Sequence, residues 1–274
     1  MTRFYDLTVG KAAEFERLLV NQGNLTAEDV EAVLAEPALA AGMVNWLHEQ
    51  LVHSAFAELS ELLISPRDQL TNMELWNKQC NWGFTESDFP TEIPDFSSYP
   101  LEVLVLCVYL PDKGRGKTKV PGFVRTANEL WEIARSLQSN WWQWDGLKLD
   151  EQHLRLLLGT EERHTPGIRW MVVDLGANWD KQIGKSPQDA SDHTSAHAEI
   201  FAAAAHFPYW VQAMNGTTVP YVWLAGYRSS DPDVEPWQHV PVLSFSQASR
   251  EVGLGASWID GRDRYCAVPV SREL

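Results

Sequence analysis

Apolar residues recur at steps of three and four early in the chain and gather into continuous runs further along, and this change of period divides it. Leu39, Met43, Trp46, Leu47, Leu51, Ala55, Leu59 and Leu62 trace one helical face. Ahead of them Thr26, followed by Glu28 and Asp29, has the form of a capped helix start leading into Val30, Val33 and Leu34. Pro37 opens the next helix. Residues 1–65 are therefore predicted to be a helical segment separable from the rest. Ser65-Pro66 marks a break, and a further helix is expected over 69–81. The stretch 85–100 holds three prolines and four acids without period and reads as a loop.

Residues 101–110 (LEVLVLCVYL) are almost wholly apolar and predict a buried central strand. Thr126 and Glu129 have capping-box spacing ahead of Leu130, Ile133, Ala134 and Leu137, which places a helix start at Thr126. A second buried strand is expected over 168–175. An alanine-rich helix follows over 195–206, with Asp192 or Ser195 as its cap, and Pro208 must interrupt or restart it. The last quarter is β-like at 221–227, 240–245, 256–259 and 265–270. Asp260-Gly261 suits a hairpin turn, and Pro269 confines the final strand to an edge. Strands here do not alternate regularly with helices, which favours α+β. The expected domain plan is a helical appendage over 1–65, then a mixed domain over 66–274 with a buried central sheet and a C-terminal antiparallel meander.

Composition narrows the partners. With 22 basic against 37 acidic residues the formal charge is −15, which repels nucleic-acid phosphates and anionic lipid alike. Duplex nucleic acid and membranes are disfavoured. No apolar run approaches the ~18 residues of a membrane span, and the N-terminus has no leader-like apolar core, so cytoplasm is the expected location. The three cysteines, Cys80, Cys107 and Cys266, lack metal-ligand or disulfide spacing.

Three groups of residues could carry chemistry. Thirteen tryptophans are an unusual load, and Trp141, Trp142 and Trp144 fall within four positions. They can plug the core, the expected main role, or form a stacking platform for a flat ligand, joined by Trp210, Trp223 or Trp237. The 113–119 loop is the densest basic cluster. Its Lys113, Arg115 and Lys117 make it a candidate for anions or a partner. Gly116-Lys117-Thr118 has the ending of a phosphate-binding loop, but Pro111 stands where the first glycine belongs, and Pro121-Gly122 argues against the helix such a loop needs. Finally, Asp174 at a strand end, Asp180, and His193 with His197 four positions on could form a metal or acid–base site. Neither the metal nor any cofactor is specified by the pattern.

The segments NWGFTESDF, NELWEIARSLQSNWWQWDGLKLDEQHLRLL, GIRWMVVDLGANWD, AAAAHFPYWVQAMNG and VPYVWLAGY resemble a family of uncharacterised bacterial proteins over roughly residues 65–274. That resemblance implies no activity and no site. Gly255-Ala256-Ser257-Trp258 is faintly similar to the last strands of C-type-lectin-like and formylglycine-generating-enzyme-like domains, without their usual ending, and would imply a ligand-display surface. Two functions stay open: a module binding a small ligand or a protein, and a metal-dependent or acid–base hydrolase using Asp174 with His193 and His197.

Overall fold

A computed structural model describes residues 61–157, 164–175, 185–192, 194–216, 219–230 and 236–274. All of them belong to one unit of contacts, Ser54–Leu274. The predicted helical segment 1–65 lies outside the described residues except for its last five. The described chain is α+β, with two sheets and the helices packed against them.

Helix α1 (Pro66–Cys80) begins where the sequence suggested only a break. Ser65 is its N-cap, the Ser65 hydroxyl accepting the Asp68 N–H at 3.2 Å, and Pro66 takes the first position, where a missing N–H costs nothing. Asn81 closes the helix in the left-handed conformation at φ 52°. Gln69, Met73 and Trp76, spaced by four and three, form its buried face.

Strand β1 (Val103–Tyr109) is buried along its whole length, as its apolar run predicts. It is not central, however. The three-stranded sheet has the order β1-β4-β10, so β4 (Gly167–Val173) lies in the middle, with β10 (Ser271–Glu273) beyond it. The pairing of β1 with β4 is antiparallel, from Val103 opposite Val173 to Tyr109 opposite Gly167. β1 can be a buried edge because side chains supply its outer hydrogen bonds. Gln69 serves Leu104 and Leu106, the His206 ring serves the Leu106 carbonyl, and Thr126 Oγ1 accepts the Leu110 N–H.

Helix α2 (Gly122–Ser136) starts four residues before the capping-box reading. Thr126 is interior. Its hydroxyl donates back to the Gly122 carbonyl, the i−4 bond available to a helical threonine, while receiving Leu110. After a short helix α3 (Pro187–Ala190) comes α4 (Ala198–His206), buried on every side. The alanines of α4 let it approach α2 and β1 closely, which explains a helix without a polar face. Ser195 does not cap it. That residue bridges to Val270, and His197 holds the N-cap position. Pro208 restarts the chain as α5 (Pro208–Ala213).

The second sheet is mixed, where an antiparallel meander was expected. Strands β2 (Trp141–Gln143), β3 (Leu154–Leu156), β5 (Tyr221–Trp223), β6 (Tyr227–Ser229), β7 (His239–Ser246), β8 (Glu251–Trp258) and β9 (Cys266–Ala267) build it. Its main path is β2-β8-β7-β5-β9, with β6 joining β7 and β3 joining β6. β2 runs parallel to β8 and β9 parallel to β5. The principal hairpin is β7–β8, turning at 247–250, with Arg250 at φ 56°. Asp260-Gly261 does turn, the Gly261 N–H returning to the Trp258 carbonyl, but the strand beyond it pairs with β5 and not with β8. One apolar cluster runs through both sheets and the helices between them.

Candidate functional site

β2 and β8 together make a groove in the outer face of the second sheet. Trp142 lies opposite Gly253, and a methyl built on either Gly253 or Gly255 would meet the Trp142 ring at 3.5 Å. The indole therefore lies over two glycines two apart on one strand face, with room for no more than a methyl in ordinary contact beneath it. Trp142 is nevertheless 49% exposed, so the ring lies against the sheet yet remains open to solvent. Trp144, partly buried, lines the same groove with Tyr221. Along β7 and β8 the groove is lined by the hydroxyl-bearing Ser244, Ser246 and Ser257 together with the apolar Val242 and Phe245. Asn215, Gln247 and Asp263 add polar groups to a groove of about 850 Å³.

This distribution corrects the expectation that the 141–144 tryptophans mainly plug the core. Trp141, on the opposite strand face as the alternation required, is 44% exposed and carries the Arg135 guanidinium 4.3 Å above its ring. Among the described residues the fully buried tryptophans are others: Trp131, Trp210 and Trp223. Trp210 and Trp223 do not reach the groove, and Trp237 instead stacks under Arg155. Tyr221 was missed because a tyrosine at the head of a β-like run carries no sign of which face it takes.

A second constellation surrounds the start of α4. Tyr109 closes β1, and its hydroxyl donates to Glu199 Oε1 at 2.7 Å; the His197 backbone N–H donates to Glu199 Oε2 at 2.7 Å. The His197 Nδ1 is 3.2 Å from that same Oε2, near enough for attraction but off the angle of a hydrogen bond. His164 lies beside it, the ring centroids 6.0 Å apart. Tyr227 meets His197 edge-on at 5.5 Å, and Phe123 flanks both His164 and Tyr227. His197, Glu199, Tyr109 and Tyr227 are fully buried, whereas His164 and Phe123 are half-buried and form the outer side. Burial, and secondarily the neighbouring His197, lower the His164 pKa to about 4, so its ring is neutral at pH 7. Burial foremost, with the Glu199 charge, pushes the Tyr109 and Tyr227 phenols well above their usual range.

The remaining predicted residues separate. Asp180 and His193 lie outside the described residues. Asp174 is buried just past the end of β4, its backbone N–H bonded to the Val270 carbonyl, and its charge is felt by Glu102. Tyr109, which anchors the His197 group, pairs with the other end of β4. Among the described residues no three histidine, cysteine or acidic side chains gather as a metal-binding group. Lys113, Arg115 and Lys117 are all exposed on a loop closed by Lys113 pairing with Val120. A helix does begin at Gly122, contrary to expectation, but its first N–H donates to Asp112 Oδ1 at 2.7 Å. A carboxylate thus occupies the place a phosphate would need, and Lys119 neutralises it at 2.5 Å.

The chain matches no protein-family model, no curated protein and no solved structure. Among the described residues no helix is long and apolar enough to cross a membrane.

Proposed function

We propose that this protein is a binding module whose groove takes a small, uncharged ligand with one flat apolar face and a hydroxyl-bearing edge, the chemistry of a sugar ring. The observation that carries this reading is Trp142, lying over Gly253 and Gly255 and half exposed. An indole held by the strand beneath it offers a rigid stacking face with little ordering cost on binding. The serine hydroxyls, the Asn215 and Gln247 amides and the Asp263 carboxylate around it suit hydroxyl groups at the ligand's edge. A chain of charge −15 favours a neutral ligand over an anionic one. Membership of the uncharacterised bacterial family and a cytoplasmic location belong to the same proposal and supply no activity of their own.

Tryptophan fluorescence titrated with a panel of neutral di- and trisaccharides tests this, with adenine as a flat ligand lacking hydroxyls. Saturable change with a saccharide, weakened at least tenfold in Trp142→Ala, is expected. A flat response to every saccharide, or equal affinity in the variant, defeats the reading.

A further inference from the structure

We propose that the groove takes a linear neutral oligosaccharide of about three linked rings, lying across the strands from Trp142 at one end to Tyr221 at the other. This rests on the saccharide reading of the groove and adds the length and direction of what it holds.

The pairings set the floor of the groove in one row. Trp142 of β2 stands opposite Gly253 of β8, and Gly253 stands opposite Ser244 of β7. Val222 of β5 faces Leu243, which puts Tyr221 beside Ser244, and Tyr221 in turn faces Cys266 of β9. Trp142, Ser244, Tyr221 and Cys266 all line the groove. The row therefore crosses from β2 through β8 and β7 to β5, and the strand spacing puts Trp142 and Tyr221 about 14 Å apart. A sugar ring with its hydroxyls is about as wide as one gap between strands. One ring on Trp142 leaves Ser244 and Tyr221 without a contact, whereas a linked chain reaches both.

The row is kept open between its two aromatic ends. A methyl on Gly253 would stand 2.9 Å from Ser244 Oγ, so glycine preserves the space beside that hydroxyl. The Ser244 hydroxyl bonds to the Gly253 carbonyl at a long 3.5 Å, a weak contact that can yield to a ligand hydroxyl. At the far end the Tyr221 ring lies close to Gly216, where a methyl would meet its Cε2 at 3.2 Å.

The two banks of the row differ. On one side Gly255 pairs with Val242, and the Trp144 N–H bonds to the Leu254 carbonyl, which brings Trp144 beside them. On the other side stand Ser246 and Gln247. The Gln247 Nε2 donates to the Met214 carbonyl at 3.1 Å, which leaves its Oε1 to accept from a ligand. A sugar chain has apolar C–H faces and hydroxyl edges, and this cross-section suits both. Among the described residues that line the groove there is no lysine or arginine, and Asp263 is the one charged group. It lies next to Cys266, with its Oδ2 3.6 Å from the thiol sulfur, so an acidic sugar would meet a like charge there.

Calorimetric titration of the full chain with cellotriose, maltotriose and mannotriose, each against its monosaccharide glucose or mannose, tests this. At least one trisaccharide should bind about tenfold tighter, or more, than its monosaccharide. Tyr221→Leu keeps apolar bulk and removes the ring. It should weaken that trisaccharide about tenfold and leave the monosaccharide unchanged, a split that loosening of the fold would not give. Ser244→Ala, which removes one half-buried hydroxyl, should also weaken the trisaccharide alone, and it decides by the same comparison if Tyr221→Leu does not fold. Trisaccharides no tighter than their monosaccharides, or variants that weaken neither sugar or both equally, overturn the row while the saccharide reading of the groove stands. No binding heat with any of the sugars defeats that reading, and this proposal with it.

Discussion

Gln69 clasps strand β1 from outside, its amide N–H donating to the Leu104 carbonyl at 2.9 Å and its Oε1 receiving the Leu106 N–H at 2.8 Å. One side chain thus reproduces both halves of a strand-pairing contact at a buried edge. Gln69→Leu keeps the bulk and removes both bonds, leaving a buried carbonyl and a buried N–H without partners. The expected loss is roughly 2–5 kcal/mol in urea unfolding. Leu75→Ala, at an exposed position on the same helix, should cost no more than about 0.5 kcal/mol. Comparable losses at both positions would show that the clasp contributes nothing particular.

His206 makes acid a specific threat to the same strand. Its Nε2 donates to the Leu106 carbonyl at 3.0 Å, and burial lowers its pKa to about 3. An unfolded histidine takes up its proton near pH 6.5, so the unfolded state binds the extra proton between there and about pH 3. The stabilising contribution of the neutral ring is therefore intact above pH 6.5 and is lost as pH falls below it, by up to about 1.4 kcal/mol per pH unit. His206→Gln retains a donor for Leu106 and cannot titrate. Urea midpoints at pH 7 and pH 4.5 should fall less in this variant than in wild type. An equal fall in both would place the acid sensitivity elsewhere.

Trp142 and Trp131 should separate binding from stability. Trp131 is fully buried, with its Nε1 donating to Gln143 Oε1 at 2.8 Å, so Trp131→Ala should cost roughly 3–5 kcal/mol. Trp142 lies over two glycines and is half exposed, and Trp142→Ala should cost about 1 kcal/mol or less while abolishing saccharide binding. Thermal melts and the fluorescence titration together decide. A large loss of stability in Trp142→Ala would return this residue to a core role.

What could be read from the sequence and what could not have physical causes. The apolar runs at 103–109 and 167–173 report burial directly, but burial cannot say which strand is central. β1 passes for a central strand because Gln69, Thr126 and His206 replace the neighbouring strand it lacks. β8 begins at Glu251, five residues before the expected 256–259, because Gly253 and Gly255 carry no β-branched or aromatic side chain to report a strand. Of the acid–base candidates, His197 was singled out only by its four-residue spacing from His193. Of its described neighbours, Glu199 is two residues along, while Tyr109, His164 and Tyr227 come from three other places in the chain, and no spacing rule gathers them. The tryptophan cluster was visible as composition, while its exposure depended on register with a parallel partner strand.

Gly226 controls where His197 sits, and changing it should displace the imidazole without altering it. The turn between β5 and β6 presses against the segment before α4, with the Gly226 N–H donating to the Ala196 carbonyl at 3.1 Å and the Gly226 carbonyl accepting the Leu157 N–H at 2.8 Å. A methyl at Gly226 would stand 2.7 Å from the Ser195 carbonyl oxygen and 2.8 Å from His197 Cβ. Real contacts are not so short, and two of the obstacles are backbone on a segment tied to Pro269 and Val270, so it cannot simply swing away. Gly226→Ala should cost about 1–3 kcal/mol by overpacking. It should also displace His197 from Glu199, which the NMR shifts of the His197 imidazole report. Gly255→Ala, whose methyl would make only an ordinary 3.5 Å contact with Trp142, should leave both readouts unchanged. A Gly226→Ala protein with wild-type unfolding and unchanged His197 imidazole shifts would mean that the close approach does not fix the imidazole.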